Sequence, residues 1–288
     1  MGGGDHNAKY YCNDVKDTLG DGPMDSGKMA FCAERDAATQ PLESFYGIDG
    51  ELALPLSGKH SVGGKSPLVV LAEGDSALAR EYAANGFAVL MCRSETYAQR
   101  AIERDKEKCL QYAAKMVEYL EGVLASHDEL DGGRVVMDGW LCAWALTQTN
   151  RFCAAVQREA MINPSTAYGN CDAGRGLLDA VQGGTLLEKM RELASLSVLT
   201  GIDGCKTPLL ILYDHKNARY SREQSEQLYS AMKDRNPDVP CRMAVSGAGY
   251  GMPNAAGEKM MKEAIDWCER FVAQQTEQAD GGTKHEEN

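Results

Sequence analysis

Candidate reactive groups cluster in Val135-Val136-Met137-Asp138-Gly139-Trp140-Leu141-Cys142-Ala143-Trp144. Residues 135–137 are a short apolar run between turn signals, which predicts a buried parallel strand. An Asp138-Gly139 turn follows, then a helical segment, then a second apolar run over 152–156. Strand, sharp turn and helix in succession form a frame that presents a nucleophile at the end of a sheet. So tight a turn admits only small residues two before and two after the presented side chain. Gly139 and Ala143 meet that demand around Leu141, which has no nucleophilic atom. Cys142 has one, but Trp140 and Trp144 stand at its own two-residue offsets, and both are too large. Cys142 is therefore expected to be a buried core thiol.

The elements that must position this stretch alternate in type. Apolar runs over 68–72, 87–92, 209–213 and 242–245 predict strands. Ser76 is expected to cap a helix that runs to Asn85 and Gly86. A long amphipathic helix is expected over 97–126, with Leu110, Met116, Leu120 and Leu124 on one face. Its charge run from Glu103 to Lys108 reads as a solvated face, and Ser221-Arg222-Glu223-Gln224 reads as a capping box. Asp214 and His215 are expected in a turn. Gly63-Gly64-Lys65-Ser66 imitates the end of a phosphate loop, but the spacing requires glycine where Lys59 stands, so it is a loop. Repeated βα units imply an α/β fold: a mostly parallel sheet with helices on both faces.

The run Leu146-Thr147-Gln148-Thr149-Asn150-Arg151-Phe152-Cys153-Ala154-Ala155-Val156 resembles the end of the strand–elbow–helix core in prolyl oligopeptidase-type serine peptidases, which include acylaminoacyl-peptidases. The resemblance spans 41–275 and implies an α/β-hydrolase-like three-layer sandwich. This chain is a few residues shorter than the family between strand and helix. In the family a serine nucleophile would stand at Leu141. The family's acid, in a strand followed by H-G-x-x-D, falls on Asn217, and its histidine, in G-x-x-H-G, falls on Tyr250. Its oxyanion loop, H-G-G-P, falls on Glu73 and Gly74, with Asp75 following. Asparagine cannot stabilise an imidazolium by charge. A tyrosine with a pKa near 10 stays protonated at neutral pH, and carboxylates repel an oxyanion. These departures lead to the expectation of a protein that is not an enzyme: a catalytically inactive hydrolase-fold subunit serving structure or protein interaction. Two alternatives stay open. One is an active serine or cysteine hydrolase with a rearranged site, using Cys142 or another serine. The other is a small-ligand receptor whose pocket is lined by Leu141, Asn217 and Tyr250.

The chain has 288 residues and a net charge of −12, which disfavours nucleic acid and anionic membranes as partners. Ten cysteines without C-x-x-C spacing point to a reducing, intracellular and cytoplasmic setting, with no zinc site and no cofactor expected. No apolar run is long enough to span a membrane. Met1-Gly2 invites N-myristoylation, but His6 stands where Ser or Thr is usual. Residues 1–40 read as an extended arm, with Tyr10, Tyr11 and Phe31 as anchors for an unidentified protein partner in a multi-subunit assembly. Residues 276–288 read as a polar tail.

Overall fold

In a computed structural model of the chain, the described residues are 15–16, 39–45, 47–72, 76–96, 99, 103–171, 174–214, 217, 219–246 and 255–283. The apolar runs become strands: β1 Val15–Lys16, β2 Thr39–Pro41, β3 Asp49–Ala53, β4 Ser66–Ala72, β5 Ala88–Arg93, β6 Leu130–Gly139, β7 Ala154–Gln157, β8 Leu209–Asp214 and β9 Cys241–Ser246. Among the described residues they form one nine-stranded sheet in the order β1-β9-β8-β7-β6-β4-β5-β3-β2. The β2–β3 and β3–β5 pairs are antiparallel and the remaining pairs are parallel. As expected, 135–137 are central and share a parallel sheet with 68–72 and 209–213.

Side-chain alternation builds the layers, because successive residues of a strand face opposite sides. Leu68, Val70, Leu90, Val135, Met137, Leu209 and Ile211 face one core. Val69, Leu71, Val89, Met91, Val136, Leu210 and Leu212 face the other. The first core is covered by α2 (Lys106–Ser126), α3 (Cys142–Leu146) and α6 (Arg222–Arg235), and the second by α1 (Ser76–Ala84) and α7 (Ala255–Thr283). A third, smaller cluster unites Met161, Ala167, Leu177, Leu193 and Tyr220. It includes residues of α4 (Pro164–Asn170) and α5 (Leu186–Ser195).

Several local expectations are corrected. The helix expected from 97 is α2, starting at Lys106, where the Asp105 side chain accepts from Lys108 N at 3.1 Å and caps it. Glu103 is no solvated charge: it is 3 % exposed and ion-paired. Ser221 makes no side-chain cap hydrogen bond. Gln224, which would complete that box, instead accepts from Ile162 N and Asn163 N at 2.9 and 2.8 Å. The capping box that does form joins Thr185 and Glu188 at the start of α5. Asp214 is the buried last residue of β8, not a turn residue. Helix α7 runs on to Thr283, into the stretch expected to be tail.

Candidate active site at the strand ends

Strand β4 is followed in sequence by β5 on one side, while β6 lies on its other side. The order in which the chain adds strands therefore reverses between β4 and β6, and α/β folds place ligands outside the carboxyl ends of strands at such a point. A cleft of about 320 Å³ lies there, lined by Ala72, Asp138, Gly139, Trp140, Glu159 and Asn217 among others.

The turn after β6 keeps the sterics of a nucleophile elbow. Gly139 has φ +138°, and a Cβ there would meet the Ala72 carbonyl oxygen at 2.9 Å, so this position requires glycine. Gln157 braces the turn from β7: its Nε2 donates to Trp140 O at 2.9 Å, and its Oε1 accepts from Ala143 N at 2.6 Å. Leu141 adopts a relaxed right-handed helical conformation, φ −83° and ψ −8°, and is fully buried in the core. It does not line the cleft, so the receptor pocket expected around Leu141 is not formed by it. Cys142 is also fully buried, and its thiol points at Val156 O and Met137 O, 3.3 and 3.5 Å away. Burial first, then the nearby Asp138 charge, hold its pKa well above the ordinary thiol value. It is the core thiol expected, and it is not poised as a nucleophile.

Two carboxylates stand at the cleft with opposite arrangements. Asp138 is gripped by Arg158, with Nε to Oδ1 at 2.6 Å and Nη2 to Oδ2 at 2.7 Å, and the Tyr82 hydroxyl donates to Oδ2 at 2.7 Å. Glu159 follows Arg158 directly and is 8 % exposed. Its Oε1 accepts from Asp214 N at 2.7 Å, and its Oε2 accepts from the Asn217 side-chain amide. Burial raises the Glu159 pKa to about 7; the two hydrogen bonds and Arg158 lower it less than burial raises it. A cleft carboxylate titrating near neutrality is suited to general acid–base work.

Of the expected site residues, Leu141 and Asn217 are described; Tyr250, Glu73, Gly74, Tyr10, Tyr11 and Phe31 lie outside the described residues. Asn217 lines the cleft as expected, although its amide serves Glu159. Glu159 was not foreseen. Its signal is the polar triplet Gln157-Arg158-Glu159 at the end of an apolar strand, where a solvent-free run gives way to chemistry. Among the described residues no group of three or more His, Cys, Asp or Glu side chains could hold a metal ion, and no helix is long and apolar enough to cross a membrane.

No family model matches the chain. Over 95 residues it is 35% identical to an uncharacterized peptidase, YuxL, of Bacillus subtilis strain 168, covering 33% of this chain and 14% of that protein. Pyrococcus horikoshii acylaminoacyl peptidase superposes with a TM-score of 0.64 at 21% identity, over 81% of this chain and 41% of the peptidase. A Mycobacterium tuberculosis puromycin-hydrolyzing peptidase gives 0.63 at 17% identity, over 82% and 39%. The chain thus spans about a seventh of the curated relative and about two fifths of these solved peptidases. The expectation of an inactive, non-enzymatic structural subunit is overturned by these findings, since the relative and the solved neighbours are peptidases. A leucine at the elbow removes one route to a nucleophile and leaves hydrolysis by other groups open. The chain carries the α/β-hydrolase fold of the prolyl oligopeptidase-type acylaminoacyl peptidases.

Proposed function

We propose that this chain is a hydrolase of peptide or ester acyl bonds with a rearranged site, in which Glu159 acts as general base on a water molecule in the strand-end cleft. The observation that carries this is the position of Glu159: a buried carboxylate lining the cleft, with a pKa raised to about 7. The names of the similar proteins support the reaction class. Glu159 takes a proton from water as the water oxygen bonds to the acyl carbon. The proton then passes to the leaving nitrogen or oxygen as its bond to that carbon breaks. Trp140 lines the same cleft, and its buried indole N–H has no acceptor among the described residues, which makes it the donor for the carbonyl oxygen as charge develops there. Without a nucleophile at 141, no covalent acyl-enzyme forms at the elbow.

The test is turnover of N-acylated peptide and activated-ester substrates by the purified chain. Activity should rise with pH through a limb near 7. Glu159→Gln should lower kcat by roughly 10²–10⁴-fold. Stoichiometric fluorophosphonate labelling at a serine, or turnover indifferent to Glu159→Gln, would sink this mechanism.

A further inference from the structure

Glu159 is held by a turn that is itself held from elsewhere in the chain. Asn217 Oδ1 accepts from Arg219 N at 2.8 Å and Tyr220 N at 3.2 Å, which ties Arg219 and Tyr220 back to Asn217. The Nδ2 of the same side chain grips Glu159. The far end of the turn is anchored to Glu103, 116 and 117 residues away in sequence from its two donors. Arg219 Nη2 donates to Glu103 Oε1 at 2.7 Å, and the Tyr220 hydroxyl donates to Oε2 at 2.5 Å. Glu103 N donates to Gln99 O at 2.9 Å, and Gln99 Nε2 donates to the Glu159 backbone carbonyl at 3.2 Å. Glu159, Asn217, the 219–220 pair, Glu103 and Gln99 thus form a closed circuit. Gln99, Glu159, Asn217 and Tyr220 all line the cleft, whereas Glu103 does not.

We infer that Glu103 is a positioning residue for the Glu159 site, closing a hydrogen-bonded circuit that presses Asn217 against Glu159. Only its consequence for turnover rests on the function proposed above. The chemistry favours this role over a solvated charge. A carboxylate that is 3 % exposed persists only with partners, and both its oxygens are occupied by donors from the same turn. Tyr220 also packs into the apolar cluster with Met161, Leu177 and Leu193, so releasing its hydroxyl loosens one wall of the cleft. The charged and titratable groups around Glu159 among the described residues are Asp214 and Tyr213 from β8 and Arg158 beside it, none of which belongs to the Glu103 anchor.

The experiment is a pH titration of the Glu159 carboxyl by NMR in carboxyl-¹³C-glutamate protein, assigned by loss of the signal in Glu159→Gln. It is run on the parent, Glu103→Ala, Glu103→Gln and Tyr220→Phe. Freeing the turn admits water to Glu159, and because burial outweighs the Asn217 hydrogen bond, the midpoint should fall from about 7 by about one unit in Glu103→Ala. Glu103→Gln keeps an acceptor for one donor and should recover part of that fall. Tyr220→Phe, which loses one hydrogen bond and keeps the ring, should show a smaller fall. A folded Glu103→Ala protein with the parent midpoint overturns the inference. If Glu103→Ala does not fold, Tyr220→Phe decides alone: a lowered midpoint supports the circuit and an unchanged one overturns it. With a substrate in hand, kcat should drop by up to roughly 100-fold while KM holds. A parent that hydrolyses nothing defeats the proposed function and leaves the NMR result to judge Glu103.

Discussion

Arg158 and Glu159 are adjacent, both are buried, and both line one cleft, yet they live in opposite electrostatic settings. Arg158 meets Asp138 in a two-pronged pair completed by the Tyr82 hydroxyl, so both charges are neutralised in place. Glu159 receives two neutral donors, and burial outweighs them. In the first cluster the bidentate pair and the tyrosine hydroxyl hold the carboxylate in one fixed geometry. The second sits where a proton comes and goes. A buried carboxylate is thus structural where a countercharge grips it in place, and suited to proton transfer where burial outweighs its partners.

The largest effect is expected on the paired side. Arg158→Ala leaves Asp138 buried without its cation and should cost about 3–5 kcal/mol of stability in denaturant unfolding. A loss below about 1 kcal/mol would mean that water reaches Asp138 and that the cluster is not closed. Next in size is the unpaired side. Glu159 has a folded pKa of about 7, above the ordinary carboxylate value it regains on unfolding. Its contribution to stability is therefore present below the unfolded pKa and is lost as pH rises through about 7. Between pH 5 and 8 the parent should lose roughly 2–3 kcal/mol that Glu159→Gln does not lose. Parallel pH profiles for the two proteins would place the Glu159 pKa at its ordinary value.

A smaller change is expected at Asn217. Asn217→Asp puts a like charge beside Glu159 and should raise the titration midpoint by about one unit, seen as a shifted pH–rate limb or NMR titration. A midpoint that does not rise would show that the 217 side chain no longer faces Glu159. The smallest effect is expected at Cys142. Cys142→Ala should cost about 1 kcal/mol and leave turnover intact, and iodoacetamide should not label Cys142 in the native protein. Rapid labelling there would return the thiol to the list of nucleophiles.

The alternation of apolar runs with helical segments was legible in the sequence because strand and helix periodicities are local properties of the chain. So were Gly139, through its turn, and the burial of Cys142, through the tryptophans around it. The resemblance carried by 146–156 led to the correct fold and to a wrong expectation of inactivity. It located only the family's own positions and was silent about any other group that could act. Glu103 looked solvated because it sits in a run of charge; it is buried because Arg219 and Tyr220 close over it. Ser221 carried the pattern of a cap, but tertiary packing gave Gln224 to two backbone amides of the 162–163 segment. Local periodicity and turn chemistry determined the strands, the helices and the glycine of the elbow. The pKa of Glu159, the pairing of Asp138 and the circuit through Glu103 depend on distances between residues far apart in the chain, so only the tertiary structure could decide them.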